Sequence, residues 1–433
     1  MEFWGGVECT VARVRNKLHD QMQLNGHENR PEDLKLIAGL GIKTLRYPLL
    51  WEKSVENPDF FNFHDERIEK LRELKIKPIA GLIHHGSGPF ITNLAEDDFP
   101  KLLADFAFKI AQKFPSIEYF NPVNEPLTTA RFSGLYGIWY PHQRCDKIFA
   151  RIFLNEMKGI VLAMKSIREI NPQAKLIPTE DLCKVHHSPL LASQANFENN
   201  RRWLTYDILT GRLNESHPLW SYFLNNGIKE SELSFFLENT CIPYICGFNY
   251  YVTSERYLDE HLYIYPQRYR GGNEHVRYAD LEAVRSGKVI PTGFYGLLKE
   301  AWERYHLPLS LTEVHLGCTR EEQLRWLYEA FCAARKLKSE GADFRAITAW
   351  SLLGSFDWNS LLRVQNHTYE SGVFDLRPGY PRRTALADLI RSLSHGKDYH
   401  IRFFKFPAGG NATYGYYTIN RIIKTKIYRN NLI

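Results

Sequence analysis

With only four methionines and seven cysteines in 433 residues, the chain is sparing with sulfur, and its other absences narrow the problem further. No run approaches eighteen consecutive apolar residues, so a membrane-spanning helix is not expected. The opening MEFWGGVECT has neither a basic start nor an apolar stretch behind it, so no signal peptide is read there. The cysteines (Cys9, Cys145, Cys183, Cys241, Cys246, Cys318 and Cys332) are odd in number and show no CxxC spacing. That argues against a disulfide framework or a zinc site, and for free thiols in a reducing cytoplasm. No repeat, low-complexity tract or linker interrupts the chain before residue 396. Nothing beyond it offers a G-x-G-x-x-G turn.

Excess charge is missing from most of the chain as well. The formal net charge is +6, but seven Lys/Arg and one acid from residue 397 onward account for all of it. Residues 1–396 therefore balance to zero and 397–433 form a basic extension. A charge confined to a tail argues against nucleic acid as a partner.

What is present is a rhythm. Eight short, β-rich apolar runs fall near Phe3–Cys9, Thr44–Trp51, Pro78–His85, Ile117–Asn124, Ala174–Thr179, Tyr244–Val252, Leu307–Thr312 and Ala346–Leu353. Between them lie helix-period segments, the longest over 145–172 and 320–341, with Pro31 opening and Gly39 or Gly41 closing a shorter one. Eight βα units in series predict an α/β fold of the (β/α)8 TIM-barrel class over residues 1–396. The polar stretch 267–288 reads as a long loop.

Active sites of such barrels form at the carboxyl ends of the strands. The residues there are Arg46 in TLRYPLLWE, His84 and His85 in GLIHHGSGP, Asn124 and Glu125 in NPVNEP, and Glu180 and Asp181 in IPTEDL. They continue with Asn249, Tyr250 and Tyr251 in GFNYYVTS, Glu313 in LSLTEVH, and Trp350 to Trp358 in WSLLGSFDW. Carboxylates on strands four and seven face each other across the mouth, as in a paired-carboxylate hydrolase.

In these motifs the chain resembles the family 1 glycoside hydrolases, retaining β-glycosidases built on this barrel. PVNEP, SLTEVH, NYYVTS, RYPLLW, GLIHHGSGP and WSLLGSFDW follow the family's order and span residues 3 to about 385. It also resembles the glycosidase-like module that, in some bacteria, precedes a dTDP-4-dehydrorhamnose reductase-like module, and no counterpart of that second module is expected in residues 397–433. The resemblance implies that Glu125 is the general acid/base and Glu313 the nucleophile, supported by Arg46 and Tyr251. Substrate contacts would come from Asn124, Asn249, His85, Trp350, Asp357 and Trp358, with no metal or organic cofactor. A small β-glycoside would be the partner, in a cytoplasmic exo-acting enzyme. A retaining mechanism sets two carboxyls about 5–5.5 Å apart, one attacking the anomeric carbon and one serving the leaving oxygen.

The departures gather on one side of the sugar site. Arg13 in GVECTVAR takes the place of a sugar-binding Gln, or Ala12 does if the alignment slips by one. Asp357 replaces a Glu, Gly354-Ser355 an Asp-Asn pair, and Val314-His315 an Asn-Gly. Since a guanidinium suits oxyanions, the glycone is expected to carry an altered or acidic group near O3 or O4. Plainer roles stand beside these. Glu125 can be a helix-start carboxylate, Glu313 a buried structural acid, and Arg13 a salt-bridge partner of Glu8 or Asp20. Glu180 and Asp181 can be loop caps, and Trp350, Trp358 and Tyr250 core aromatics. His84-His85 and His186-His187 lack a third ligand at metal spacing. A carbohydrate-binding pseudo-enzyme and a transglycosylase also remain compatible with the sequence.

Overall fold

The computed structural model describes residues 1–57 and 59–397, so all of the basic extension beyond Lys397 lies outside the described residues. Eight parallel strands close on one another: β1 (Glu2–Gly6), β2 (Thr44–Pro48), β3 (Lys77–His84), β4 (Tyr119–Asn124), β5 (Lys175–Leu176 continuing as Thr179–Asp181), β6 (Cys246–Asn249), β7 (Leu309–Val314) and β8 (Phe344–Ala349). Each pairs with the next, and β8 pairs back onto β1 through Glu2↔Ala346 to Gly5↔Ala349. The expected (β/α)8 barrel is the fold. β5 is split at Pro178, which has no N–H for the ladder, and runs on to Asp181 rather than stopping at Thr179.

The barrel's outer layer and its interior bury different chemistry. Outward residues such as Ile83, Phe120, Val123, Phe248, Leu311 and Ile347 pack beneath the helices. Helices Phe99–Lys113 and Asp146–Ile170 each turn an apolar stripe (Leu103, Ala107, Ile110; Phe149, Phe153, Met157, Ile160) into that layer. Each fully buried aliphatic or aromatic side chain is worth roughly 1.5–3 kcal/mol. Inside the barrel, Trp4, Ile79, Ile177, Ile245 and Ala346 plug the amino-terminal end. Nearer the carboxyl ends the buried residues become polar: Asn121, Thr179, Ser310, Thr312 and Thr348.

The segment 267–288 is not the long loop expected. Arg270–Gly272 and Arg277–Glu282 are strands in a small outer sheet with Glu255–Asp259 and Lys184–His187. Tyr278, Ala279 and Leu281 are buried there, whereas Asp280 pairs with Arg256 at 2.8 Å. Charged residues that pair across strands made this stretch look like a loop.

Gly6 ends β1 where a Cβ would lie 2.3 Å from the Trp350 ring. The absent side chain lets that indole cross the barrel mouth. Gly6→Ala is expected to cost about 1–3 kcal/mol by overpacking and to shift tryptophan fluorescence. Chemical denaturation unchanged from wild type would show that Trp350 is not held there.

Candidate active site

The segment after β4 answers what the carboxylate in NPVNEP does. Glu125 adopts a left-handed backbone (φ 45°, ψ 62°), and Pro126 then starts the helix Pro126–Ala130. Its carboxylate makes no bond to the N–H groups of that helix. Glu180 does so instead, accepting from the Leu127 amide (2.9 Å) and the hydroxyls of Thr128 (3.2 Å) and Thr205 (2.8 Å). The helix-start role weighed for Glu125 therefore belongs to Glu180, and Glu125 is left for the barrel mouth. His85 and Asp357 also hold positive φ. Such backbone strain in non-glycine residues gathers where a site dictates it.

Each of the two carboxylates has its own set of donors. Glu313, at the end of β7, receives Arg46 Nη1 on Oε1 (2.7 Å) and the Tyr251 hydroxyl on Oε2. Those are charge-assisted bonds of the kind an anion needs. Burial, and next the charge of Glu313, hold the Tyr251 phenol well above its usual range, so it remains a donor. Glu125 Oε1 accepts only from the neutral amide Asn249 Nδ2 (2.6 Å), and Oε2 lies 3.6 Å from His85 Nε2. Burial raises the Glu125 pKa well above the carboxylate range, helped by the charges of Glu313, Asp181 and Glu180. Burial thus sets Glu125 to carry a proton, whereas a cation and a phenol donate to Glu313.

Asn124 ties these groups together. Its Oδ1 accepts from Arg46 Nη2 (2.5 Å) and Thr179 Oγ1 (2.6 Å), so its Nδ2 donates toward His85 Nε2 (3.1 Å). His85 must then accept at Nε2 and donate from Nδ1 to Thr129 Oγ1 (3.1 Å). Burial keeps the ring neutral, with its pKa lowered to about 3. His84 stacks on Trp350 (5.2 Å, 5°), and burial lowers its pKa too. Neither histidine joins a metal-binding group among the described residues, and His186 is taken by Glu255 (2.7 Å).

Four residues at or beside the mouth have partners within the fold. Asn249 Nδ2 donates to Glu125, and its Oδ1 accepts from Thr312 Oγ1 (2.7 Å). Tyr250 is a core aromatic, stacked on Trp326 and bonded to Glu255 (2.7 Å). Asp357 turns into its own loop and accepts the amides of Asn366 (3.1 Å), His367 (3.2 Å) and Thr368 (2.8 Å). Arg13 pairs with neither Glu8 nor Asp20. Its Nη1 donates to the Phe90 carbonyl (3.1 Å), and its guanidinium lies over the Tyr140 ring (3.7 Å). Trp358 meets His85 edge-on (5.7 Å), and its Nε1 is buried without a partner.

Sequence reasoning passed over Glu8 as a site group. It accepts from the Thr10 amide (3.0 Å), Thr10 Oγ1 (2.6 Å) and Trp350 Nε1 (3.3 Å), and burial raises its pKa. A Glu directly after the apolar run FWGGV was the available signal.

A protein-family model, Glycosyl hydrolase family 1, matches residues 7–366. The chain belongs to this family. It is a glycoside hydrolase. It is similar to beta-glucosidase A of Thermotoga maritima, at 22% identity over 83% of this chain and 84% of that protein. It is also similar to 6-phospho-beta-glucosidase of Clostridium longisporum, at 23% identity over 80% of each. The structure of the Thermotoga maritima beta-glucosidase with deoxynojirimycin superposes with a TM-score of 0.72 at 18% identity, covering 87% of this chain and 88% of that one. No described helix of this hydrolase is long and apolar enough to cross a membrane.

Asp181 raises the Glu125 pKa through its charge, so Asp181→Asn is expected to let Glu125 ionise at lower pH. Difference infrared spectroscopy can follow the protonated C=O stretch, assigned by its loss in Glu125→Gln. A midpoint that stays put or rises counts against this coupling.

Proposed function

We propose that the protein is a retaining exo-β-glycosidase acting by double displacement, with Glu313 as nucleophile and Glu125 as acid/base. What carries this reading is the unequal provision for the two carboxyls. A cation and a phenol serve Glu313, whereas burial and a neutral amide keep the proton on Glu125. In the first step Glu313 attacks the anomeric carbon while Glu125 protonates the departing oxygen. That forms an ester and frees the aglycone. The ester removes the charge that raised Glu125, which then takes a proton from water as the water attacks the anomeric carbon and releases Glu313. Asn124, oriented by Arg46 and Thr179, meets the sugar 2-hydroxyl, and Trp350 forms the floor. Seven unpaired cysteines fit a reducing cytoplasm.

The glycone is altered or acidic. Arg13 keeps a charged edge that no carboxylate neutralises among the described residues, and Asp357 is occupied by its loop. Relatives of both kinds exist, named beta-glucosidases and 6-phospho-beta-glucosidases. Arg13→Gln is expected to lower kcat/KM for an acidic glycone relative to plain glucose by roughly tenfold or more, the worth of a charge-assisted contact. Improved turnover of plain β-glucosides with no loss elsewhere would dismiss the idea.

The double displacement is tested by intact mass after incubation with activated 2-deoxy-2-fluoro β-glycosides bearing glucosyl, galactosyl and glucuronyl groups. One added glycosyl unit is expected, mapped to Glu313 and absent from Glu313→Gln. Glu125→Gln should lose about 10²–10⁴ in rate on substrates that need acid assistance. No label from any sugar, with both variants hydrolysing aryl glycosides like wild type, would overturn the mechanism.

A further inference from the structure

The helix that begins at Pro126 ends in a single wide π-turn over Arg131–Leu135, an irregularity that recurs at functional sites. Arg131 opens that turn with a side chain only 14% exposed. Of its five N–H donors, one is used, from Nη2 to Thr128 Oγ1 at 3.2 Å. Nε is fully buried and has no acceptor. The nearest carboxylate oxygen, Asp181 Oδ2, lies 3.9 Å away, beyond hydrogen-bond range. Asp181 is itself committed elsewhere, with Oδ1 taking the Ser254 hydroxyl at 2.5 Å.

A second guanidinium stands close by. Arg201, the last residue of helix Ala192–Arg201, has a side chain only 5% exposed, and the Arg131 charge works against its own. Its carboxylate partner, Glu198 at 3.3 Å, also accepts from Gln194 (2.8 Å). The nearby Arg256 is already paired with Asp280. Two nearly buried cations share one corner, and one of them keeps four unspent donors. Leaving such donors unsatisfied costs free energy that an oxyanion would recover.

The position of this corner says which part of a substrate it meets. Asp181 ends β5, and its charge acts on Glu125. Arg131 lies six residues past Glu125, in the turn that continues the helix starting at Pro126. On the reading of Glu125 as the acid, the space beyond it receives the leaving group. We propose that Arg131 anchors a leaving-group subsite for an aglycone carrying an oxyanion, a carboxylate or a phosphate. This rests on the glycosidase reading and goes beyond it by naming the aglycone's charge.

The test compares β-glycosides of 4-methylumbelliferone, which is neutral, with those of 3-carboxyumbelliferone and of a phosphate-bearing umbelliferone, on one glycone. In wild type, kcat/KM for one or both anionic forms should exceed the neutral one by about 10–100-fold, the worth of one or two charge-assisted bonds. Whichever anion gains more identifies the natural group. In Arg131→Met the anionic-to-neutral ratio should fall to about one, with Arg131→Lys in between. Comparing ratios between variants cancels the leaving-group difference among the phenols. A wild-type ratio near one, or an equal loss on all substrates in Arg131→Met, overturns the subsite. If wild type hydrolyses none of them, the glycosidase reading fails by itself. Fluorescence anisotropy of the free phenols then decides: binding of the anionic ones to wild type but not to Arg131→Met supports the subsite, and equal binding refutes it.

Discussion

Arg46 reaches from β2 into the barrel and satisfies three elements at once. Its guanidinium donates to the Glu313 carboxylate, the Thr312 carbonyl (2.8 Å) and Asn124 Oδ1, while Trp350 covers its face at 4.6 Å. Both members of the Arg46–Glu313 pair are almost fully buried. Taking two ions out of water costs several kcal/mol each, recovered only when every remaining donor and lone pair finds a partner. That condition explains why the upper barrel interior is built from Thr179, Thr312, Asn124 and Asn249 rather than from aliphatic residues. The apolar core is displaced to the plug around Trp4 and to the shell beneath the helices.

The same constraint sets the contrast between the two carboxyls. Arg46 serves Glu313 directly but reaches Glu125 only by way of Asn124 and His85, so burial dominates at Glu125 and its proton is retained. A carboxyl whose folded pKa lies above its unfolded one binds its proton more tightly when folded. Stability from that group is therefore present at low pH and falls as pH rises past the unfolded value of about 4.3. Glu8, Glu52 (raised to about 7 by burial) and Glu125 all act in this direction. The mouth of the barrel is a destabilising element at neutral pH, offset by the large apolar layers around it.

The sequence made the frame of this arrangement legible, because strand ends are positions a period can find. Arg46, Asn124, Glu125, Tyr251 and Glu313 all stand where the eight-unit count places them, and their partners meet across the mouth. What escaped was the direction of individual hydrogen bonds. Asn249 and Asp357 carry polar groups as useful to a sugar as to a neighbouring carboxylate or amide, and no spacing separates the two uses. Tyr250 and Tyr251 follow the end of β6 and face opposite ways, one into the core and one into the mouth. The outer sheet at 270–282 was hidden because its charged residues pair with one another across strands.

Arg131 and Arg13 show the same limit from opposite sides. Arg13 lies in the short strand Val11–Val14 and Arg131 in the π-turn, and neither periodicity nor charge count distinguishes them. Arg13 gives one donor to a carbonyl and its face to two aromatic rings, and like Arg131 it keeps a buried Nε without an acceptor. Arg131 spends one donor and keeps the rest in a nearly buried setting 3.9 Å from Asp181. A charged group is free to recognise a ligand to the extent that the fold has left its donors unsatisfied. Selectivity in this barrel therefore depends less on which residues replace the family's motif than on which polar atoms the packing leaves without a partner.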